Sequence, residues 1–333
     1  MERRDLTALN EADLRLREKL DAFLPDRIFD AHAHLYRTEA LPEGDGLFQL
    51  LGTRDVRRLD EDRKKLYGDR RFGALLLMMP SPRYRSEPGL RDRENAWLAS
   101  QLDDAPDCFG TAYVMPGDSR DKIESMLVHP RIRGFKCYHQ TADTAGSTLQ
   151  AEIREYLPES AWQTAQEHGL SITLHMVKDM ALSDPENFDY IRAMTAKYPG
   201  ATLILAHCAR GFAPWTAIEA VRKLRGIDNI YYDMAAACEP ALMFEVIRQA
   251  GPDKVMWATD YPLDLVHGKP VPCGETFTWV YPYELPFPIH FPVCCTALES
   301  LLAFREASLM LDLGKPEIEA IFWKNAQRLF GGA

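Results

Sequence analysis

The chain has 333 residues, 46% of them hydrophobic and 26% charged, with a formal net charge of −10 at pH 7. That is enough apolar material for one large α/β domain or two smaller ones, and the acidic balance argues against nucleic acid or a membrane surface as partner. No run of about 18 apolar residues offers a membrane span, and Met1-Glu2-Arg3-Arg4-Asp5 is not followed by the apolar stretch of a secretory leader. The seven cysteines are scattered and lack zinc-knuckle spacing, so they read as reduced thiols of a cytoplasmic protein.

Residues 11–24 carry Leu14, Leu16, Leu20, Phe23 and Leu24 among charges, the pattern of an amphipathic helix with Asn10 as N-cap and Pro25 as stop. Arg27-Ile28-Phe29 then opens a strand that runs into Asp30-Ala31-His32-Ala33-His34-Leu35-Tyr36. Strand alternation places Asp30, His32 and His34 on one face, where two imidazoles can grip one metal ion and Asp30, deeper, supports its neighbours. A charged stretch, 37–71, holds a helix. Phe72–Met79, a continuous apolar run ended by Pro80, reads as a strand buried on both faces. Strands follow at 109–115, 132–138, 170–175, 201–207, 229–233 and 254–260. Helices lie between them at 89–104, 119–128, 158–168, 185–198, 214–224 and 239–250, and two more close the chain at 297–313 and 316–329.

Eight strands alternating with helices predict a (β/α)8 TIM barrel over about 27–331, within a single domain of 1–333 that has an N-terminal helix and a long loop after strand eight. An open doubly wound sheet is the alternative, weakened by the lack of Gly-x-Gly-x-x-Gly after the first strand. The loop, 262–296, is rich in proline and aromatics: Phe277, Trp279, Tyr281, Tyr283, Phe287 and Phe291. At the C-terminal face of a barrel it reads either as a substrate-shaping lid or as the contact of a homodimer.

The ends of the strands carry the chemistry. Strand one supplies His32 and His34, strand four Lys136, strand five His175, strand six His207 and strand eight Asp260. Taken singly, such a histidine is more often a hydrogen-bonded core residue, Asp260 before Tyr261-Pro262 a turn residue, and Lys136 a surface cation. Together they converge on one mouth as a nitrogen-and-carboxylate set suited to a divalent ion with an open position. Tyr138 and His139, just past Lys136, are placed to touch a substrate. His129 and His168 fall at helix ends on the opposite side.

These motifs resemble the amidohydrolase superfamily: Asp30-Ala31-His32-Ala33-His34, Gly134-Phe135-Lys136, Leu174-His175, Ala206-His207, Ala258-Thr259-Asp260-Tyr261-Pro262 and Asn325-Ala326-Gln327-Arg328-Leu329-Phe330. The nearest branch is the amidohydrolase-related family that includes aminocarboxymuconate-semialdehyde decarboxylase. The resemblance implies that His32, His34, His175 and Asp260 bind a divalent metal, most often Zn2+ and sometimes Mn2+. It implies that His207 polarises substrate or acts as acid and base, and that Asp260 takes a proton from the water the metal activates. Lys136 stands where two-metal members carry a carboxylated lysine. Carboxylated, it would admit a second ion; protonated, the favoured reading, it would bind a substrate carboxylate or hydroxyl and leave one ion.

The expected activity is hydrolysis of an amide, ester or lactone bond of a small molecule through metal-activated water. The alternative is metal-dependent, non-oxidative decarboxylation of a small cyclic or aromatic carboxylate. Arg83 and Arg85 after strand two, and Arg210 after strand six, are the candidate cations for an anionic substrate. A barrel that has lost catalysis and serves as a scaffold is argued against by the complete ligand set, and a phosphoesterase fits less well around strand four.

Overall fold

The computed structural model describes residues 7–44, 46–274, 276–281 and 292–331. Eight parallel strands pair in sequence order. They are β1 (Arg27–Leu35), β2 (Arg71–Met78), β3 (Phe109–Tyr113), β4 (Ile132–Cys137), β5 (Ser171–Leu174), β6 (Thr202–Leu205), β7 (Ile230–Asp233) and β8 (Val255–Met256). The ring closes through the segment after β8. Ala31 N donates to Trp257 O at 2.9 Å, Asp260 N to His32 O at 3.0 Å and His34 N to Tyr261 O at 2.8 Å. This is the (β/α)8 barrel that the alternation of apolar runs and amphipathic segments predicts.

The barrel is filled, not hollow. Phe29, Leu75, Leu77, Ile204 and Met256 form the inner core, and Trp323 and Phe330 from the C-terminal helices plug it from below. Phe29 stacks on Phe330 with ring centroids 5.9 Å apart. A larger apolar layer lies between the strands and the surrounding helices. With the lower end plugged, the histidines and Asp260 gather at the C-terminal ends of the strands.

The N-terminal helix α1 (Glu11–Asp21) is capped by Asn10, whose Oδ1 accepts from Ala12 N and Asp13 N. The 37–71 stretch holds two α-helices, α2 (Gly46–Leu51) and α3 (Val56–Tyr67).

Three expectations change. First, strict alternation fails in β1. Ile28, Ala33 and Leu35 face the outer layer, Phe29 and Ala31 the inner core. The pairing with β2 slips between Asp30 and Ala33, a bulge that turns Ala31 and His32 inward in succession. Asp30 therefore lies on the other face from the histidines. Second, β5, β6 and β8 end at Leu174, Leu205 and Met256, so His175, His207 and Asp260 stand one to four residues past the regular strands.

Third, the segment after β8 is partly regular. It contains an antiparallel hairpin, β9 (Lys269–Cys273) with β10 (Thr276–Val280). Its alternating Thr276, Thr278 and Val280 with Phe277 and Trp279 are good strand formers, and Gly274 supplies the left-handed turn residue at φ +58°. Tyr283, Phe287 and Phe291 lie outside the described residues. No helix among the described residues is long and apolar enough to cross a membrane. All seven cysteines are free thiols.

Candidate metal centre

The β1 bulge brings the two histidines of strand one together at the barrel axis. His32 Nε2 and His34 Nε2 are 3.2 Å apart, and each is 3.6 Å from Asp260 Oδ1. One ligand atom from each of His32, His34 and Asp260 lies within 4.8 Å of the others, and all three side chains are buried. The remaining ring nitrogens are committed. His32 Nδ1 faces Asp233 Oδ2 at 2.9 Å and His34 Nδ1 faces Met78 O at 2.9 Å. Both partners are acceptors, so each Nδ1 carries the proton and each Nε2 presents a lone pair. Burial holds both imidazoles well below the ordinary histidine pKa, which keeps them neutral. Two bare lone pairs 3.2 Å apart beside a carboxylate repel one another unless a cation lies among them. The donor set thus fits a divalent ion, and nitrogen with carboxylate oxygen suits zinc or manganese.

Asp260 reaches this position through a left-handed backbone, φ +69°, held by its N–H on His32 O. Burial raises the pKa of its carboxyl and the Lys136 ammonium opposes the rise. Asp30 accepts from His32 N and Thr259 N, both at 3.0 Å, and from Thr259 Oγ1 at 2.5 Å. It ties the bulge to the residue before Asp260 from the outer side of the sheet.

His207 continues the group. Its ring lies 5.0 Å, centroid to centroid, from both His32 and His175. It sits in a left-handed turn: His207, Cys208, Ala209 and Arg210 have φ of 57°, 50°, 63° and 56°. Such backbone costs roughly 1–2 kcal/mol per non-glycine residue. Asp233 Oδ1 accepts His207 N at 2.8 Å and Ala235 O accepts His207 Nδ1 at 3.0 Å, which anchors the turn. With that proton fixed, His207 Nε2 is the acceptor for His175 Nδ1 at 3.0 Å. His207 is pushed down to about 3, chiefly by burial and by the neighbouring His32. His175 stands outside the set of three, with Tyr138 stacked on its ring at 4.2 Å and His139 on Tyr138 at 4.8 Å.

Lys136 is fully buried on β4 rather than at the surface, and its Nζ has no hydrogen-bond partner among the described residues. Burial lowers its pKa, opposed by Asp233 and Asp260. Arg210 is half-buried. It donates to Lys178 O at 3.3 Å, lies 5.3 Å over the ring of Phe277, and has Asp179 as its nearby carboxylate, without a salt bridge among the described residues. Arg83 is not brought to this group. Its guanidinium is engaged by Glu39 O, Leu41 O and the Glu87 carboxylate. Arg85 is bound by Ala142 O and Asp143.

Two contributors escaped the sequence reading. Asp233 orients both His32 and His207, and its signal was available: an acid ending the apolar run Ile230-Tyr231-Tyr232, in the same place as the other strand-end ligands. The other is an aromatic relay from the hairpin. Phe277 packs on Phe212 at 4.8 Å, and Phe212 on His207 at 5.2 Å. The hairpin thereby covers the His207 side of the mouth. A surface groove of about 850 Å³ lies elsewhere, between the helices Pro185–Lys197 and Trp215–Lys223, and none of the histidines lines it.

A braced set of histidines and a carboxylate at the C-terminal mouth of a barrel is a candidate site for a divalent ion of the kind barrel enzymes use. Residues 29–332 match the amidohydrolase family, and the chain belongs to it. No functionally curated protein matches by sequence. Among solved structures, the chain is similar to 5-carboxyvanillate decarboxylase from Sphingomonas paucimobilis, with 14% identity, a TM-score of 0.59, and 93% of this chain and 100% of that one covered. A dihydroxybenzoic acid decarboxylase from Polaromonas, with bound manganese and 2-nitroresorcinol, aligns at 15% identity and a TM-score of 0.53, covering 91% and 96%. A probable 2-pyrone-4,6-dicarboxylic acid hydrolase from Acinetobacter baumannii, with bound citric acid, aligns at 14% identity and 0.56, covering 92% and 99%. At these identities the likeness concerns the fold.

Proposed function

We propose that the protein is a metal-dependent hydrolase that opens an amide, ester or lactone bond in a small molecule bearing a carboxylate. The observation that carries this reading is the Nε2 pair of His32 and His34 facing Asp260, with both ring protons locked onto Asp233 and Met78 O. His32, His34 and Asp260 would hold the ion, with His175 as the further ligand if it exchanges its bond to His207. The ion, Zn2+ or Mn2+, supplies a Lewis acid that polarises the carbonyl and activates the attacking water.

The chain's own groups do the rest. Asp260 receives the proton of the attacking water. His207, its Nδ1 proton held by Ala235 O, offers the Nε2 lone pair to the reacting group, and Asp260 returns the proton it took from water to the leaving atom. Arg210 binds the substrate carboxylate, with Tyr138 and His139 as the wall of the pocket. Phe212 and Phe277 keep water from the His207 side. Lys136, buried and unpartnered, either meets a polar group of the substrate or, as the neutral amine that burial favours, takes up CO2 and adds a second ion. Ion count per chain decides between these.

Decarboxylation of a small aromatic carboxylate is the second reading. It is favoured by Lys136 and Arg210, two basic side chains beside the ligand set that form no salt bridge among the described residues, and by the decarboxylases among the similar structures. The test is turnover of a panel of lactones, amides and aromatic carboxylates in 18O-labelled water. Label in the product carboxylate supports hydrolysis; CO2 release without label overturns it in favour of the second reading. Equal turnover by metal-free and metal-loaded protein defeats both.

A further inference from the structure

The residue after Asp260 is tied to a helix outside the barrel. Tyr261 is fully buried, and its Oη–H donates to Asp62 Oδ2 at 3.0 Å. Asp62 lies on α3, also fully buried, and accepts from Arg54 Nη1 at 2.9 Å and Lys65 Nζ at 2.8 Å. The Tyr261 ring lies 4.9 Å beneath the Arg63 guanidinium, which pairs with Asp264 at 2.7 Å. The backbone of Tyr261 is engaged at the same time, its carbonyl accepting His34 N at 2.8 Å. One residue therefore touches both the histidine strand and α3, and it adjoins a carboxylate held in left-handed backbone.

We propose that Asp62 and Tyr261 form a positioning pair for the metal ligand Asp260. It rests on the metal-site reading above. Asp260 reaches the ion from an unfavourable φ of +69°, so its aim depends on what fixes its neighbours. Thr259 is fixed by Asp30. Tyr261 is fixed by its phenol on Asp62, and the Arg54–Asp62 pair keeps that acceptor from rotating. Neither Asp62 nor Tyr261 touches the ion. They act through the direction of the Asp260 carboxylate, as carboxylates behind ligating histidines act through ring direction.

The test measures Co2+ affinity and the visible Co2+ spectrum of the full chain, stripped of metal and reloaded, beside the melting temperature of the metal-free protein. Tyr261→Phe keeps the ring beneath Arg63 and removes only the hydroxyl; it should raise the Co2+ Kd about tenfold and alter the spectrum. Asp62→Asn keeps an acceptor oxygen for the phenol but unbalances Arg54 and Lys65. It should hold Kd within about threefold of the wild type while lowering the metal-free melting temperature more than Tyr261→Phe does. A Tyr261→Phe Kd within twofold of the wild type overturns the proposal. So does the reverse order, in which affinity follows melting temperature and Asp62→Asn is the worse variant. A wild-type chain that binds no Co2+, or a His34→Ala chain that binds it as well as the wild type, overturns the metal-site reading and the pair with it.

Discussion

The two sides of the barrel mouth differ in how completely their polar groups are satisfied. On the β1–β8 side most of the site's groups have a fixed partner. His32 and His34 each spend Nδ1 on a buried acceptor, Asp30 takes three donors, and three backbone bonds close the ring through the residues around Asp260. On the β4–β6 side the groups are held in place but left short of partners. Lys136 Nζ makes no hydrogen bond among the described residues, Arg210 donates to a carbonyl and lies over an aromatic face, and His175 and His207 face each other. On the proposed reading, the side where lone pairs converge would hold a fixed ion. On the same reading, the side with Lys136 and Arg210 would receive an anion that comes and goes, since a buried basic group gains most from an acidic partner.

The largest effect is expected on the braced side. His34→Ala should remove the metal and lower turnover by on the order of 10³-fold, read by elemental analysis and by rate. Retained metal would break the division between the sides. His207→Ala should keep the metal and lower kcat by about 10²- to 10⁴-fold. A metal-free His207 variant would move this residue to the braced side. Asp30→Ala strands buried N–H groups of His32 and Thr259, and should cost about 3 kcal/mol in a urea titration of the metal-free chain. A cost below about 1 kcal/mol would show that the bulge does not need it.

Two smaller effects sharpen the open side. Arg210→Gln should raise KM about tenfold for carboxylate substrates and leave kcat nearly unchanged; an equal loss for neutral substrates would remove Arg210 from anion binding. His139 is pushed down to about 4, chiefly by burial. Its folded form therefore binds fewer protons than its unfolded form between about pH 4 and 6.5. Its share of stability is complete above that window and is lost as pH falls through it. His139→Gln should make the decline of melting temperature between pH 6.5 and 4 shallower, and an unchanged slope would refute the assignment.

Most of the fold was legible because it rests on short-range regularities. Apolar runs such as Phe72–Met79 mark strands buried on both faces, and Asn10, Pro25 and Gly169 mark helix ends. The rule that strand ends share one mouth then collected His32, His34, Lys136, His175, His207 and Asp260 without coordinates. The missed features depend on neighbours distant in sequence. Alternation put Asp30 with the histidines, but pairing with β2 and Thr259 places a bulge between them. The hairpin at 269–280 was hidden by its prolines, which an edge position tolerates. Arg83 and Arg210 look alike in sequence, yet one is consumed by Glu87 and two carbonyls while the other remains available.

The sequence by itself determined the barrel and the identity of the residues at its mouth, since these follow from periodicity and residue type. Only the tertiary structure decided which ring nitrogens carry protons, because that depends on Asp233, Met78 O and Ala235 O arriving from other strands. It alone decided the left-handed aim of Asp260 and of the His207 turn, conformations that local sequence disfavours and that distant hydrogen bonds impose.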